Sequence, residues 1–218
     1  MKFITVFVMS RIGVLILDCI LMHFAKLYKK CDVYEIKLNN IEKLCIVSNM
    51  FIETVFISYI TKYYANIPLF PYTHNFFGFF IVFTRVFLIS IIDDILYSPY
   101  HYLLHRPFFF RYIHGIHHKI DRPYKGYIHA IMEHPFEMIG ALYLHTIALH
   151  IVNFFVYIDQ TSIYLHILLK ACLACLNHSG HEVDIKLIHY KSLSHLIHHR
   201  YRTINYFQHI EIKLPQIC

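Results

Sequence analysis

The stretch FFGFFIVFTRVFLISIIDDILYSPYHYLLH, residues 76–105, runs from a long apolar segment into a pair of histidines. Its first part, 76–96, approaches the ~20 mostly apolar residues that a membrane-spanning helix needs. The two histidines that follow, His101 and His105, are four residues apart, a spacing that places both on one face of a helix. This stretch therefore predicts a spanning helix with histidines just beyond its apolar part.

Four other stretches approach the length of a spanning helix, although the last is short: 4–25, 44–61, 138–157 and 162–176. Across the 218 residues, 57% are hydrophobic and only 16% are charged, and the mean hydropathy is +0.45. These values exclude an ordinary soluble fold. The sequence has no internal repeat, Gly/Ser linker or low-complexity tract. We therefore expect one membrane domain over residues 1–218, an all-α polytopic membrane helical bundle with about five spanning helices.

Several charged residues interrupt or edge these apolar stretches: Arg11, Asp18, Glu53, Arg85, Asp93, Asp94 and Lys170. A charged side chain is costly inside a bilayer and is usually turned away from the lipid. We therefore expect these groups to face protein, water or the lipid headgroups.

Lysine and arginine are distributed unevenly between the segments that connect the predicted helices. The segments 26–43, 97–137 and 177–218 carry five each, fifteen in all, whereas the opposite side carries only Lys2 and Lys62. Cytoplasmic loops accumulate basic residues, so these segments are expected to share the cytosolic face, with the N-terminus in the lumen. The net charge of +6 suits an anionic membrane surface, but no basic run is dense enough to indicate nucleic acid binding.

Histidine is the anomaly of the composition, with 19 residues in 218. Eight of them form three clusters at helical spacing: His101 and His105; His114, His117 and His118; His195, His198 and His199. Each cluster can aim two or three imidazoles at one point. Imidazole suits Fe, Zn, Cu or Ni, and eight nitrogens exceed what one tetrahedral or octahedral ion can use. The clusters therefore predict a di-metal site in a histidine-rich helical cap on the cytosolic face.

A lone histidine on an apolar face is more often a hydrogen-bonded core residue than a metal ligand. We apply that interpretation to the histidines outside the clusters: His23, His74, His145, His150, His166, His189 and His209.

Further elements accompany the clusters in a fixed order: Asp94 before the first, Pro123 after the second, then His134-Pro135-Phe136-Glu137, Asn177-His178-Ser179-Gly180-His181, and Asn205-Tyr206 after the third. Together they resemble the fatty acid hydroxylase superfamily, which includes sterol C4-methyl oxidases, sterol C5-desaturases, and alkylglycerol and sphingolipid hydroxylases. The resemblance covers about residues 93–206, over half of the chain. Any single cluster would be a much less specific signal than this combination.

The resemblance implies an oxidoreductase with two Fe ions that hydroxylates, oxidises or desaturates a C–H bond of a sterol or fatty acyl lipid. Such a reaction needs a redox metal, because zinc cannot activate dioxygen by electron transfer. The implied ligands are the eight clustered histidines, with His178 and His181 as additional ones. The remaining motif residues are His134, Glu137, Asp94 and Asn205. Glu137 and Asp94 are expected to accept from ligating imidazoles, unless Asp94 caps the end of a span.

The resemblance also implies a multi-pass protein of an endoplasmic reticulum-type membrane, acting in lipid or sterol biosynthesis. Its lipid substrate would reach the site from the bilayer. The sequence has no H-P-G-G, C-x-x-C-H or G-x-G-x-x-G motif for a fused haem or flavin module. Cytochrome b5 or its reductase is therefore the implied electron donor.

Two features depart from the family pattern. The residues after Tyr206 lack the family's aromatic run and W-D-x-x-F-G-T ending, and fifteen residues separate His118 from His134, slightly more than in relatives. The second departure affects the loop that contains His129. Three alternatives stay open: a membrane acyl desaturase, a catalytically inactive relative, and a metal-binding membrane protein such as a transporter or storage protein.

Overall fold

The structure, a computed structural model, describes residues 3–32, 35–69, 76–186 and 190–202. Five long helices account for most of it: α1 (Phe3–Ala25), α2 (Asn40–Tyr63), α3 (Phe76–Leu104), α6 (Pro135–Phe155) and α7 (Gln160–Asn177). Shorter elements lie between α3 and α6 and after α7: α4 (Pro107–Phe109), a π-helical turn (Phe110–His114), a 3-10 turn (His117–Lys119), α5 (Tyr127–Ala130), a two-stranded hairpin of β1 (Asp184–Ile185) and β2 (Tyr190–Lys191), and α8 (Ser192–Tyr201).

Local sequence explains where the long helices begin. Asn39 and Glu42 form a reciprocal capping box at α2: Asn39 Oδ1 accepts from the Glu42 amide at 2.9 Å, and the Asn39 amide donates to Glu42 Oε2 at 2.7 Å. Pro135 occupies the first turn of α6, where its missing N–H has no cost. At α7, Asp159 Oδ1 accepts from the Ser162 amide at 2.9 Å.

Within the described residues, four helices are long and apolar enough to cross a membrane: Phe7–Ala25, Asn40–Tyr63, Phe76–Leu104 and Pro135–Phe155. Each coincides with a predicted span, and their outward faces expose large apolar side chains such as Phe79, Phe83 and Phe87. The fifth predicted span, 162–176, does form a helix, α7. However, α7 is not apolar enough to be counted with the other four. It packs instead against α1 and α3 inside the bundle.

The long helices alternate in direction, so their loops gather at two ends of the bundle. At one end, Gln160 Nε2 at the start of α7 donates to Ile67 O beyond the end of α2, at 2.7 Å. At the other, Glu42 in the first turn of α2 forms an ion pair with Lys119, which lies ahead of α6. All three predicted basic segments reach this second end, as the contact between the Cys31 amide and Gly180 O (2.9 Å) illustrates.

Charged groups of the long helices pair with oppositely charged residues inside the bundle instead of facing lipid. Arg11 Nη1 of α1 lies 2.9 Å from Glu53 Oε2 of α2, and Arg85 Nη1 of α3 lies 2.7 Å from Asp159 Oδ2. Lys170 Nζ of α7 lies 2.6 Å from an oxygen of Asp93. The prediction that these groups face protein is thereby confirmed for both arginines and for Lys170. Such pairing reduces the cost of placing charge inside a membrane.

The residues 101–134, 178–186 and 190–202 lie together at the second end, and we call them the histidine cap. The spacing predicted helical histidine clusters, but the second cluster is irregular. Its first histidine ends a π-helical turn and its last two begin a 3-10 turn, on either side of Gly115. A Cβ at Gly115 would lie 2.7 Å from Phe110 O, so this close backbone approach requires glycine. Asn205, Tyr206 and the altered C-terminal sequence lie outside the described residues.

Candidate metal centre

Nine of the ten predicted ligands converge in two groups at the centre of the histidine cap. The first group is His101, His105, His114, His118 and His198, and the second is His117, His178, His195 and His199. Within each group, one ring nitrogen from every histidine lies within 4.8 Å of the others. The groups adjoin, because the rings of His118 and His199 are 4.7 Å apart between centroids.

Helical spacing explains how the clusters are divided between the groups. Residues four apart share a helix face, and the pair His195 and His199 belongs to one group. The neighbouring His198 points elsewhere and joins the other group. The second cluster, although not an α-helix, is divided in the same way, because His117 belongs to a different group from His114 and His118. Each of these clusters therefore contributes to both groups.

Four Nε2 atoms of the first group form a closed ring. Nε2 of His101 lies 3.2 Å from Nε2 of His114, which in turn lies 3.0 Å from Nε2 of His105. Nε2 of His105 lies 3.2 Å from Nε2 of His198. The ring closes at 3.1 Å between His198 and His101. For a metal–nitrogen distance of ~2.1 Å, two ligands are ~3.0 Å apart at a right angle and ~3.4 Å apart at the tetrahedral angle. The spacing therefore matches nitrogens that surround a single ion.

The second group repeats part of this arrangement. His195 Nε2 lies 3.2 Å from His178 Nε2 and 3.0 Å from His199 Nε2. The fourth member, His117, packs its ring 4.7 Å from that of His199 and is buried. Its Nδ1 has no hydrogen-bond partner among the described residues, and the same holds for Nε2 of His118 in the first group. Buried nitrogens without partners are costly, so both groups fit a bound metal.

Backbone carbonyls fix the tautomer of several of these imidazoles. Nδ1 of His118 donates to His199 O at 3.3 Å, and Nδ1 of His199 donates to Ile120 O at 3.1 Å. Nδ1 of His178 donates to Ala174 O at 2.8 Å. A neutral imidazole with its proton on Nδ1 presents a lone pair at Nε2. These rings are therefore prepared to bind a metal through Nε2.

Burial keeps the cap histidines neutral. Loss of water around the ring, reinforced for His105 by neighbouring His114 and His198, lowers the pKa of His105 to about 3. Burial alone lowers the pKa of His114 to about 3, and burial lowers that of His178 to about 4. The pKa of His199 also falls well below its usual range through burial and the nearby histidines. Deprotonated imidazole is the form that binds metals.

One carboxylate reaches the first group. Oε1 of Glu137, which is 1% exposed, lies 2.6 Å from Nδ1 of His114. Glu137 is thus positioned to accept the second ring proton of a ligand, the role predicted for it. Burial, with the neighbouring Glu137 carboxyl, raises the pKa of Glu133 well above its usual range. The raised pKa favours the protonated form of Glu133 beside Glu137.

The other predicted site residues lie apart from the two groups. The structure does not bring His181 into either group; its Nδ1 donates to Ser179 O at 2.9 Å. His134 caps the start of α6 by accepting from the Phe136 amide at 3.2 Å. Asp94 is buried in the middle of α3, not at its end, and lies 3.7 Å from Lys170 Nζ. Asn205 lies outside the described residues.

The loop between the second cluster and α6 is organised by His129. Its Nδ1 accepts from the amides of Tyr124 at 3.0 Å and Lys125 at 3.4 Å, and the residue is 2% exposed. Burial, with His178 and Lys125 nearby, lowers the pKa of His129 to about 3, which preserves this acceptor. Gly126 turns the chain with a φ of 50°, a conformation that favours glycine. These hydrogen bonds hold the loop, and the two histidine groups form despite its extra length.

A cavity of about 690 Å³ is lined both by histidines of the two groups and by residues of the long helices. Four members of the two histidine groups line this cavity: His101, His117, His178 and His195. Apolar residues of α1, α6 and α7 form much of the remainder, among them Val14, Leu17, Leu142 and Ile167. A cavity of this size and lining is typical of binding sites for small apolar molecules.

Sequence interpretation missed one group of polar residues. His145 and His166, taken there as core residues, lie with Asp93 in a cluster whose ligand atoms are within 4.8 Å of one another. All three are carried by different helices, so no sequence spacing connects them. The available signal was chemical: ionisable residues inside predicted spans are functional candidates by default.

A comparison of the chain with family models, curated proteins and solved structures finds no match. The geometry and chemistry of the described residues therefore carry the functional argument.

Proposed function

We propose that this chain is a membrane-bound di-iron oxygenase that oxidises a C–H bond of a lipid, using dioxygen and electrons from a separate donor. The observation that carries the proposal is the pair of adjoining histidine groups at the head of an apolar cavity. The resemblance of the motifs between residues 93 and 206 to the fatty acid hydroxylase superfamily supports the same conclusion.

The two groups would each hold one iron, the first through His101, His105, His114, His118 and His198, the second through His117, His178, His195 and His199. When bound, iron supplies the electron transfer to dioxygen that zinc cannot provide. Histidine is a suitable donor for iron, and neutral, buried rings satisfy the requirement for deprotonated ligands. Glu137 holds the ring of His114 by accepting from Nδ1.

The protein's own contribution is to position the lipid and exclude water. The apolar walls of the cavity favour a hydrocarbon chain, and the ligand histidines that line it bring the reactive end close to that chain. Hydroxylation inserts one atom of dioxygen into the C–H bond, and the other leaves as water after two electrons and two protons are supplied. Desaturation consumes the same electrons and protons and releases two waters.

Cytochrome b5 or its reductase is the proposed donor of those electrons, in an endoplasmic reticulum-type membrane with the histidine cap facing the cytosol. The distribution of fifteen basic residues against two supports this orientation. Cysteine replacing exposed Lys125 of the cap should react with a membrane-impermeant reagent from the cytosolic side. Cysteine replacing exposed Tyr157 at the other end of the bundle is the matched control. Labelling of position 125 only from the lumen would contradict the orientation.

Oxygen consumption tests the function itself. Purified iron-loaded protein, supplied with NADH, cytochrome b5 reductase and cytochrome b5, should consume dioxygen when membrane lipids are added. Mass spectrometry should find a hydroxylated, demethylated or desaturated lipid. Zinc-loaded protein and the His114→Ala variant are the controls and should be inactive. A folded protein that binds iron pairs but neither consumes dioxygen nor alters any lipid would refute the oxygenase and favour a metal-binding or inactive relative.

A further inference from the structure

A polar cluster lies beside the cavity, among the long helices. It joins Asp93 of α3, His145 of α6, and His166 and Lys170 of α7. Asp93 Oδ1 accepts from His145 Nδ1 at 2.5 Å, and Asp93 Oδ2 is 2.6 Å from Lys170 Nζ. Both histidines and Lys170 line the cavity that reaches the metal groups.

The arrangement of charges argues against a third metal ion here, although three ligand types lie close together. Both oxygens of Asp93 already have partners, His145 and Lys170. The ammonium of Lys170 would also repel a cation at this position. The cluster therefore needs a different ligand.

His166 shows what kind of ligand this would be. The Ser90 hydroxyl donates its one proton to Val86 O at 2.8 Å, so it must accept at its 3.1 Å contact with His166 Nδ1. His166 is then a neutral ring with its proton on Nδ1 and a lone pair on Nε2. The residue is 1% exposed, and Nε2 has no hydrogen-bond partner among the described residues. A buried acceptor of this kind requires a donor.

The charge of the cluster selects between possible lipid termini. Two carboxyl groups, Asp93 and Asp94, lie near the single ammonium of Lys170. A further carboxylate would find no excess positive charge here and could not donate to His166. A hydroxyl group is neutral and donates one hydrogen bond, so it meets both requirements.

The position of Asp93 along α3 gives the approximate distance between the cluster and the two histidine groups. Asp93 precedes the ligand His101 by eight residues on α3, a rise of ~12 Å at ~1.5 Å per residue. An extended chain advances ~3.5 Å over three bonds, so ~12 Å corresponds to about ten bonds. A lipid anchored at the cluster would therefore present a remote carbon to the metal groups.

We propose that His166, with His145 and Lys170 beside it, binds the hydroxyl terminus of a long-chain or sterol-like lipid alcohol. In that pose, the carbon oxidised lies about ten bonds from the hydroxyl oxygen. The binding part of this proposal stands on the cluster alone. The position of oxidation rests on the proposed function.

Competition binding tests the anchor without requiring turnover. The full chain in phosphatidylcholine nanodiscs is loaded with tritiated octadecan-1-ol, which is displaced by unlabelled octadecan-1-ol or by octadecanoate. We expect the alcohol to compete about 5- to 30-fold better, the range that one buried hydrogen bond supports. His166→Phe keeps a ring but removes Nε2 and should abolish this preference, whereas His166→Gln should retain much of it. Leu165→Ala, at an exposed position of the same helix that does not line the cavity, is the matched control and should keep the preference.

The outcomes separate the two proposals. Equal competition by alcohol and carboxylate in the unaltered chain would overturn the anchor, even if His166→Phe fails to fold. A preference for alcohol that persists in His166→Phe would overturn it as well. If the alcohol preference holds but the iron-loaded protein oxidises no lipid, the oxygenase fails and the anchor stands. If a lipid alcohol is oxidised only at carbons adjacent to its hydroxyl, the predicted pose is wrong while the oxygenase stands.

Discussion

The two histidine groups are built from the same side chain but are supported differently. In the first group, His114 donates to the buried carboxylate of Glu137 at 2.6 Å. In the second, His178 and His199 donate to backbone carbonyls at 2.8 and 3.1 Å. A carboxylate increases the basicity of a ligating imidazole more than a neutral carbonyl does. The two metal positions are therefore expected to differ in affinity, and the first should retain its ion more strongly.

Neighbouring histidines of α8 provide the strongest test of this division. His198→Ala removes a ligand of the first group, and His199→Ala removes one of the second. Each variant should lose one of two ions and more than about 100-fold in activity, because losing a ligand costs more than losing an outer partner. Arg200→Ala, the exposed next residue, is the control and should keep both ions. If His198→Ala and His199→Ala leave the metal content unchanged, the assignment to two groups is wrong.

Replacement of Glu137 tests the asymmetry directly. Glu137→Gln keeps the shape of the side chain but replaces the carboxyl group beside His114 with an amide, a weaker acceptor, so it should weaken metal binding at the first group by about 10- to 100-fold. The second group, which this carboxylate does not contact in any described hydrogen bond, should be little affected. Competition with a chelator measures both affinities, and Glu182→Gln, in a more exposed ion pair with Lys29, is the matched control. Equal weakening at both positions would remove the distinction between the groups.

Acid should destabilise the metal-free protein through both groups. The folded protein holds the pKa of His114 at about 3 and that of His178 at about 4, against ~6.5 in an unfolded chain. The unfolded state therefore binds more protons below pH ~6.5, so stability falls as the pH drops from ~6.5 towards 4. Each such imidazole contributes up to ~1.4 kcal/mol to this loss of stability per pH unit.

Thermal unfolding of the metal-free protein in detergent, measured between pH 7.5 and 5, would detect this loss. The His114→Phe variant should show a shallower dependence, because one of the neutral buried imidazoles is gone. A melting temperature that stays constant over this range would show that the histidines titrate normally and are not buried as described.

The smallest effect is expected at His129, which supports the cap without joining either group. His129→Ala leaves the amides of Tyr124 and Lys125 without their acceptor, a loss of about 1–3 kcal/mol in stability. Both metal ions should remain bound. Loss of metal from a folded His129→Ala protein would instead mark His129 as part of the site.

Much of the fold is readable from the sequence because membrane helices are encoded locally, by length and apolar composition. Four of the predicted spans are helices of suitable length, and the stretch that begins at Phe76 continues as helix through the first histidine. The shorter α7 was harder to predict because its polar residues, including His166 and Lys170, face the interior of the bundle.

The candidate site was predictable only in part. Spacing of four residues reveals that His195 and His199 act together, but adjacent helical residues diverge by ~100°, and only tertiary structure shows where His198 points. The motif that contains His181 predicted it to be a ligand. In the structure, its Nδ1 donates to Ser179 O instead. The cluster of Asp93, His145 and His166 depends on the packing of three helices, which no linear pattern records.

The most direct test of the central claim is the number of metal ions bound to each folded chain. The full protein should be reconstituted with iron in detergent, freed of excess metal, and measured by elemental analysis together with Mössbauer spectroscopy. Two adjoining groups predict two irons per chain and a spectrum of a magnetically coupled pair. A folded chain that binds one iron or none, or two irons with no magnetic coupling, would contradict the di-iron centre.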